Sequence, residues 1–178
     1  MLGGMRGVPA SARPELLGVP VLGTLTRLGW LDEVGVIEID PMVSETAATQ
    51  EVYGLEARTL INCVLVGGRR EGAERLAACL VPAHKRVDVN GFVRKRLGVR
   101  KASFLPLERA VAASSMEYGG ITAIGLPGEW PVLLDAEAAQ EPLVVVGSGV
   151  RQSKLLVPGP LLARLPGTEV SAEVARPA

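Results

Sequence analysis

Between Glu117 and Asp135 the chain reads EYGGITAIGLPGEWPVLLD, and no helix or strand can run through most of it. Pro127 and Pro131 each lack a backbone donor, and glycines 119, 120, 125 and 128 resist the ordering that a regular element demands. The chain must therefore fold as two sets of elements joined by an obligatory loop, which hands over to a short apolar strand ending at Asp135. A loop of this kind is either a tight structural turn or a pocket wall where backbone comes close to a ligand. Its composition leaves both open.

The elements on either side follow from apolar spacing. With 178 residues and 48% apolar content, the chain can bury one core. Residues 1–18, rich in Gly, Pro and Arg, read as a flexible N-terminal tail, and 19–178 as a single domain. Apolar residues from Val21 to Leu31 fall on one helix face, with Gly29 as a stop. Val34–Ile39 alternates as a strand. Ser44 is placed to cap a helix that runs to Tyr53, with Gly54 as its terminator. Leu60–Val66 and Arg75–Pro82 read as a β-hairpin with a long turn centred near Glu71, which sets Cys63 across from Cys79. Asn90 is placed to cap a helix to Leu97. A strand at Lys101–Leu105 and a helix from Pro106 to Ala113 follow. Beyond the glycine loop come strands at Val132–Leu134, Leu143–Val146 and Lys154–Val157, with a short helix after Asp135 and a closing one at Pro160–Leu165. Strands mixed with helices, without regular βαβ spacing, predict an α/β (α+β) fold: a mixed sheet flanked by helices.

Composition excludes several functions. Two residues each of Phe, Trp and Tyr are too few for a stacking surface of the kind that reads single-stranded nucleic acid. No run reaches the roughly 20 apolar residues of a membrane span, so a cytoplasmic protein without membrane association is expected. Cys63 and Cys79 lie in apolar runs without ligand spacing, which predicts buried thiols and no metal site. His84, the single histidine, ends a strand beside Lys85 and reads as exposed. The charge is uneven: net zero overall, but about −5 over 1–57, +8 over 58–109 and −3 over 110–178. The basic middle carries Arg94, Lys95, Arg96, Arg100 and Lys101, either a polyanion footprint or a solvated face. Asn62 is the polar exception in an apolar strand. It either satisfies neighbouring backbone or sits at a pocket edge.

Three blocks in this order, GLEARTLINCVLV, MEYGGITAIGLPGEWPVLLD and VVVGSGVRQSKLLV, resemble the YbaK and prolyl-tRNA-synthetase-associated editing domain family over roughly Val34–Leu165. The resemblance implies a mixed, barrel-like central sheet. It also implies a free-standing trans-editing hydrolase that cleaves the ester of mischarged aminoacyl-tRNA without a cofactor. The implied partners are the tRNA acceptor end and an aminoacyl-tRNA synthetase. Carried over by position, Gly119 and Gly120 match the substrate loop, whose backbone amides can stabilise an oxyanion. Thr122 and Ala123 continue that loop, and Gly147, Ser148 and Gly149 match a second loop beside it. Three positions depart from the usual pattern. Asn62 stands where many members have a lysine, Ala123 where a proline is typical, and Lys154 where some relatives are acidic. A non-catalytic module that binds tRNA or an aminoacyl-nucleotide is the alternative. On either reading Arg94–Arg96, Arg100 and Lys101 serve the tRNA.

Overall fold

The computed structural model describes Met1–Ala178. Its first half contains β1 (Val8–Pro9), α1 (Val19–Leu28), β2 (Gly35–Glu38), α2 (Thr46–Tyr53), β3 (Ile61–Arg70), β4 (Ala73–Pro82) and β5 (Lys85–Val87). Next come α3 (Arg94–Leu97), β6 (Ala102–Phe104), α4 (Leu107–Ser114), β7 (Val132–Asp135) and α5 (Ala136–Gln140). The last elements are β8 (Val144–Gly147), β9 (Ser153–Val157), α6 (Gly159–Leu162), β10 (Thr168–Ser171) and β11 (Ala175–Pro177).

The strands form a mixed α/β architecture. A five-stranded sheet runs β10-β7-β4-β3-β6, a four-stranded sheet β1-β2-β9-β8, and a small ribbon pairs β11 with β5. Pairing is antiparallel except that β7 runs parallel to both β4 and β10. The two larger sheets meet at a single bridge, Leu60 to Val145, and do not close into a barrel.

Burial explains why the strands read as continuous apolar runs. Along β4, Ala78 and Leu80 join Ile61, Leu65, Val146 and Leu155 in the main core, where Val21 and Leu25 of α1 also lie. The alternate residues Ala77, Cys79 and Val81 face a second core under Val93 and Leu97. A strand covered on both faces has no polar side to show. Two helices end where the sequence places their stops, with Gly29 at φ 72° and Gly54 at φ 60°.

Several expectations are corrected. The N-terminal segment is not a loose tail: Met5 is fully buried with Ile39 and Leu60, and β1 pairs with β2. The hairpin turn is short, because Glu71 (φ 51°) and Gly72 (φ 80°) turn the chain in two residues, the conformation that matches strand twist. That moves the centre by half a residue. Cys63 then pairs with Leu80 and Val64 with Cys79, so the two thiols lie on opposite faces of the sheet. The helix after β5 is capped by Asp88, whose Oδ2 accepts from the Phe92 amide at 3.0 Å, not by Asn90. At the C-terminus, α6 is shorter than expected and two further strands follow it. No helix is long and apolar enough to cross a membrane.

Candidate active site

β3 is paired with β4 along its whole length, but its other edge is covered only by β6 at Val66–Gly68 and by the bridge at Leu60. Between those two pairings, residues 61–65 form one wall of a cavity of about 550 Å³. The entry into α2 (residues 44–47), Phe104, Leu105, Leu107 and Ala110 where β6 passes into α4, the loop residues Tyr118, Gly119 and Ile121, and Gly147 and Lys154 complete it. Ile61, Leu65, Leu105 and Ile121 make most of it apolar, as ligand pockets usually are.

One corner is polar. Lys154 enters from β9, its side chain almost wholly buried, and its ammonium donates to the carbonyl oxygens of Ser44 at 2.7 Å and Gly119 at 3.0 Å. No carboxylate pairs with it. Burial pushes its pKa down to about 8, with the nearby positive charge of Arg151 adding to the effect. At neutral pH it remains mostly an ammonium, with two of its three N–H donors committed to backbone.

The loops beside this corner are packed backbone to backbone. A Cβ on Gly147 would lie 2.5 Å from the Gly120 oxygen, and one on Gly120 would lie 2.6 Å from the Val150 oxygen. These glycines let two loops touch. Gly119 has the positive φ of 79°, and its missing side chain makes room for the Ser44 hydroxyl. The Gly120 N–H is committed to the Glu117 oxygen, so it is not an oxyanion donor. Gly119 and Ile121 line the cavity, and their N–H groups have no protein acceptor.

Arg151 straps this loop in place. Its guanidinium donates to the oxygens of Tyr118 and Pro41 and lies 5.4 Å from the centre of the Tyr118 ring. The Tyr118 hydroxyl in turn donates to Glu45 at 3.0 Å.

The expected site residues divide accordingly. Asn62, Gly119, Gly147 and Lys154 line the cavity. Asn62 accepts a hydrogen bond from the Thr46 hydroxyl and so has a local partner. Thr122 and Ala123 are buried behind the loop and do not line the cavity. Ser148 is spent on Val150 and Ser153, and Gly149 (φ 89°) packs against Gly18 and Val21. Cys63 reaches the cavity wall, but burial pushes its pKa up and keeps the thiol protonated. His84 is exposed beside Glu137, away from the cavity.

None of Arg94, Lys95, Arg96, Arg100 and Lys101 lines the cavity. The tip of the hairpin folds onto the end of α3, where Arg75 donates to the Leu97 oxygen at 2.9 Å and Arg70 approaches Gly98. Arg96 pairs with Glu169. Lys101, whose carbonyl packs against Gly68, is the nearest of these basic residues: at about 3.3 Å per residue it lies ~10 Å along β3 from cavity residue Leu65.

Nothing in the residue pattern marks Ser44 or Glu45 as cavity residues, because Ser44 reads as a helix cap. In the structure Glu45 occupies the cap position and makes no capping bond. The Ser44 hydroxyl, almost fully buried, has no partner. No group of three or more His, Cys, Asp or Glu residues is arranged to hold a metal ion.

Comparison with known proteins adds the following. The model of a family described as the aminoacyl-tRNA editing domain matches residues 40–165. No curated protein matches the chain. Among solved structures, one described as a candidate trans-editing enzyme for prolyl-tRNA synthetase is 20% identical, with a TM-score of 0.70 over 85% of this chain and 92% of its own. A second, described as a hypothetical protein, is 16% identical, with a TM-score of 0.76 over 88% and 99%. A third, a scaffold for computational epitope grafting, is 19% identical, with a TM-score of 0.72 over 86% and 94%. At these identities the likeness to the solved structures is one of fold.

Proposed function

The chain belongs to the aminoacyl-tRNA editing domain family, and from that membership we propose that it hydrolyses the ester joining a wrongly attached amino acid to the terminal ribose of a tRNA. The observation that carries this reading is the polar corner. A buried ammonium is fixed on the Gly119 and Ser44 carbonyls, beside two N–H groups without acceptors, in a mostly apolar cavity. Donors fixed in a water-poor site act where negative charge develops.

In this reading the amino-acid side chain occupies the apolar part of the cavity and the ester carbonyl faces the corner. Water adds to the carbonyl carbon, and the resulting oxyanion accepts from the Gly119 or Ile121 amide, with the positive charge of Lys154 beside it. Glu45, the one carboxylate on the cavity lining, is available to take the proton from the attacking water. The C–O bond to the ribose then breaks. The ribose oxygen leaves with a proton as a hydroxyl, and the amino acid leaves as its carboxylate. Asn62 has an orienting part in this scheme, and Lys154 supplies the positive charge that a lysine at position 62 would bring from β3. Action in trans is the corresponding expectation, as in the relative described for prolyl-tRNA synthetase.

The test is a deacylation panel with tRNAs charged with alanine, cysteine, serine, threonine or proline. The expected result is turnover above the uncatalysed rate on at least one of them, reduced by Lys154→Met. Absence of turnover on every member overturns the hydrolase reading, and charged tRNA bound without turnover identifies a binding module instead.

A further inference from the structure

The Ser44 hydroxyl is the unexplained polar atom of the cavity. Ser44 is 1% exposed and lies on the cavity lining, yet its Oγ has no hydrogen-bond partner. A buried hydroxyl left unpaired is costly, and native proteins rarely keep one without a use. Its backbone is held on both sides: the amide donates to the Pro41 oxygen at 3.3 Å, and the carbonyl accepts from Lys154 at 2.7 Å. The glycine opposite leaves room for it, since a Cβ on Gly119 would stand 2.6 Å from Oγ. The fold thus fixes the position of a hydroxyl and leaves its hydrogen-bonding capacity open.

The chemistry of the corner selects what can fill it. Lys154 has one N–H left to give, and Ser44 can both donate and accept. An ammonium offers no lone pair to Lys154 and is repelled by its charge. An ester carbonyl can accept from Lys154 and from the Ser44 hydroxyl but leaves the Ser44 oxygen without a donor. An alcohol satisfies both, accepting from the ammonium and donating to Ser44 Oγ. An aminoacylated ribose presents one such alcohol next to the ester, the vicinal hydroxyl that is not acylated.

We propose that Ser44 is a ribose-recognition residue, which together with Lys154 binds the free hydroxyl adjacent to the ester. This assignment rests on the aminoacyl-tRNA reading above. It adds a specificity: the cavity distinguishes a terminal ribose from a sugar lacking that hydroxyl. It also orients the ester, because a hydroxyl held at the corner brings the neighbouring carbonyl to the Gly119 and Ile121 amides.

The experiment uses two non-hydrolysable probes, 3′-aminoacylamino-3′-deoxyadenosine and its 2′-deoxy counterpart, with binding to the full chain measured by calorimetry. The wild type should bind the hydroxyl-bearing probe about tenfold more tightly. Ser44→Ala should bind both probes with the affinity that the wild type shows for the deoxy probe. Equal affinity of the wild type for the two probes overturns the assignment without any variant, and so does undiminished discrimination by folded Ser44→Ala. Turnover is not needed for this readout, so the two readings fail separately. A wild type that discriminates between the probes but never deacylates loses the hydrolase reading and keeps the ribose site. One that deacylates while Ser44→Ala discriminates as before loses the ribose site and keeps the hydrolase reading. A wild type that binds neither probe overturns the ribose site outright.

Discussion

Replacing Lys154 by methionine removes a buried charge while leaving a side chain of similar length in β9. The pKa of the ammonium falls from an ordinary 10.5 to about 8, chiefly because burial disfavours the charged form. Between those values the unfolded chain holds a proton that the folded chain has released, so wild-type stability rises with pH across the window. The contribution is fully present above 10.5 and is lost as pH falls through 8. A gap of this size corresponds to about 3 kcal/mol. Because Lys154 is nearly inaccessible, solvent screening removes little of it. At neutral pH the variant forgoes hydrogen bonds to two carbonyls but also escapes the burial of a charge, and these terms largely offset. Urea unfolding of both proteins from pH 7 to 10.5 at fixed ionic strength isolates the effect, since other titrating groups cancel in the difference. With a denaturant slope near ~2 kcal/mol per molar, the wild-type midpoint should gain about 1.5 M on that of the variant. A constant difference across the range refutes the reasoning, because it means that the Lys154 ammonium is as well solvated in the folded protein as in the unfolded one.

Four further outcomes are expected. Ser44→Ala should raise the stability of the ligand-free protein by ~1 kcal/mol, read from the urea midpoint, because it removes an unpaired buried hydroxyl. Gly147→Ala should cost ~1–3 kcal/mol, since its Cβ meets the Gly120 and Ile121 oxygens at 2.5 and 2.6 Å, while Gly23→Ala, in open space on α1, should gain ~0.5–1 kcal/mol. Glu71→Asn should stabilise the hairpin by up to ~1 kcal/mol in thermal unfolding, because asparagine tolerates the left-handed φ of 51° better than glutamate. Affinity for tRNA should fall steeply with salt, and neutralising Lys95, Arg100 and Lys101 together should flatten the slope; an unchanged slope assigns them to a solvated face.

The legible part of the fold was its set of buried strands and the ends of its helices. The runs around Ile61–Val66, Ala77–Val81 and Val144–Val146 are apolar because both sheet faces are covered, and that pattern is written locally. Gly29 and Gly54 stop helices because left-handed backbone suits glycine, which is also local. The polar strand β10, TEVS, carried no such pattern. It exists because the β7 edge offered it a partner, with Thr168 beside Val132. The long basic turn expected at 67–74 failed for a related reason. Two residues of left-handed backbone at Glu71 and Gly72 sufficed, and the polar residues around them became strand.

The site divides in the same way. The sequence by itself determined that a glycine-rich loop would stand before Val132, that Asn62 would interrupt an apolar strand, and that a lysine would lie within the run SKLLV. Those are facts of residue type and order, and they fix backbone freedom and side-chain chemistry. Only the tertiary structure decided what each residue would face. It brought Lys154 against a carbonyl 110 residues away, freed the Ser44 hydroxyl from the capping role that its neighbours suggest, and set Gly120 and Gly147 where the backbones of two loops touch. The physical reason is that a hydrogen bond or a close approach depends on distance in space. Packing of the two sheets around a common core sets that distance, and local sequence does not record it.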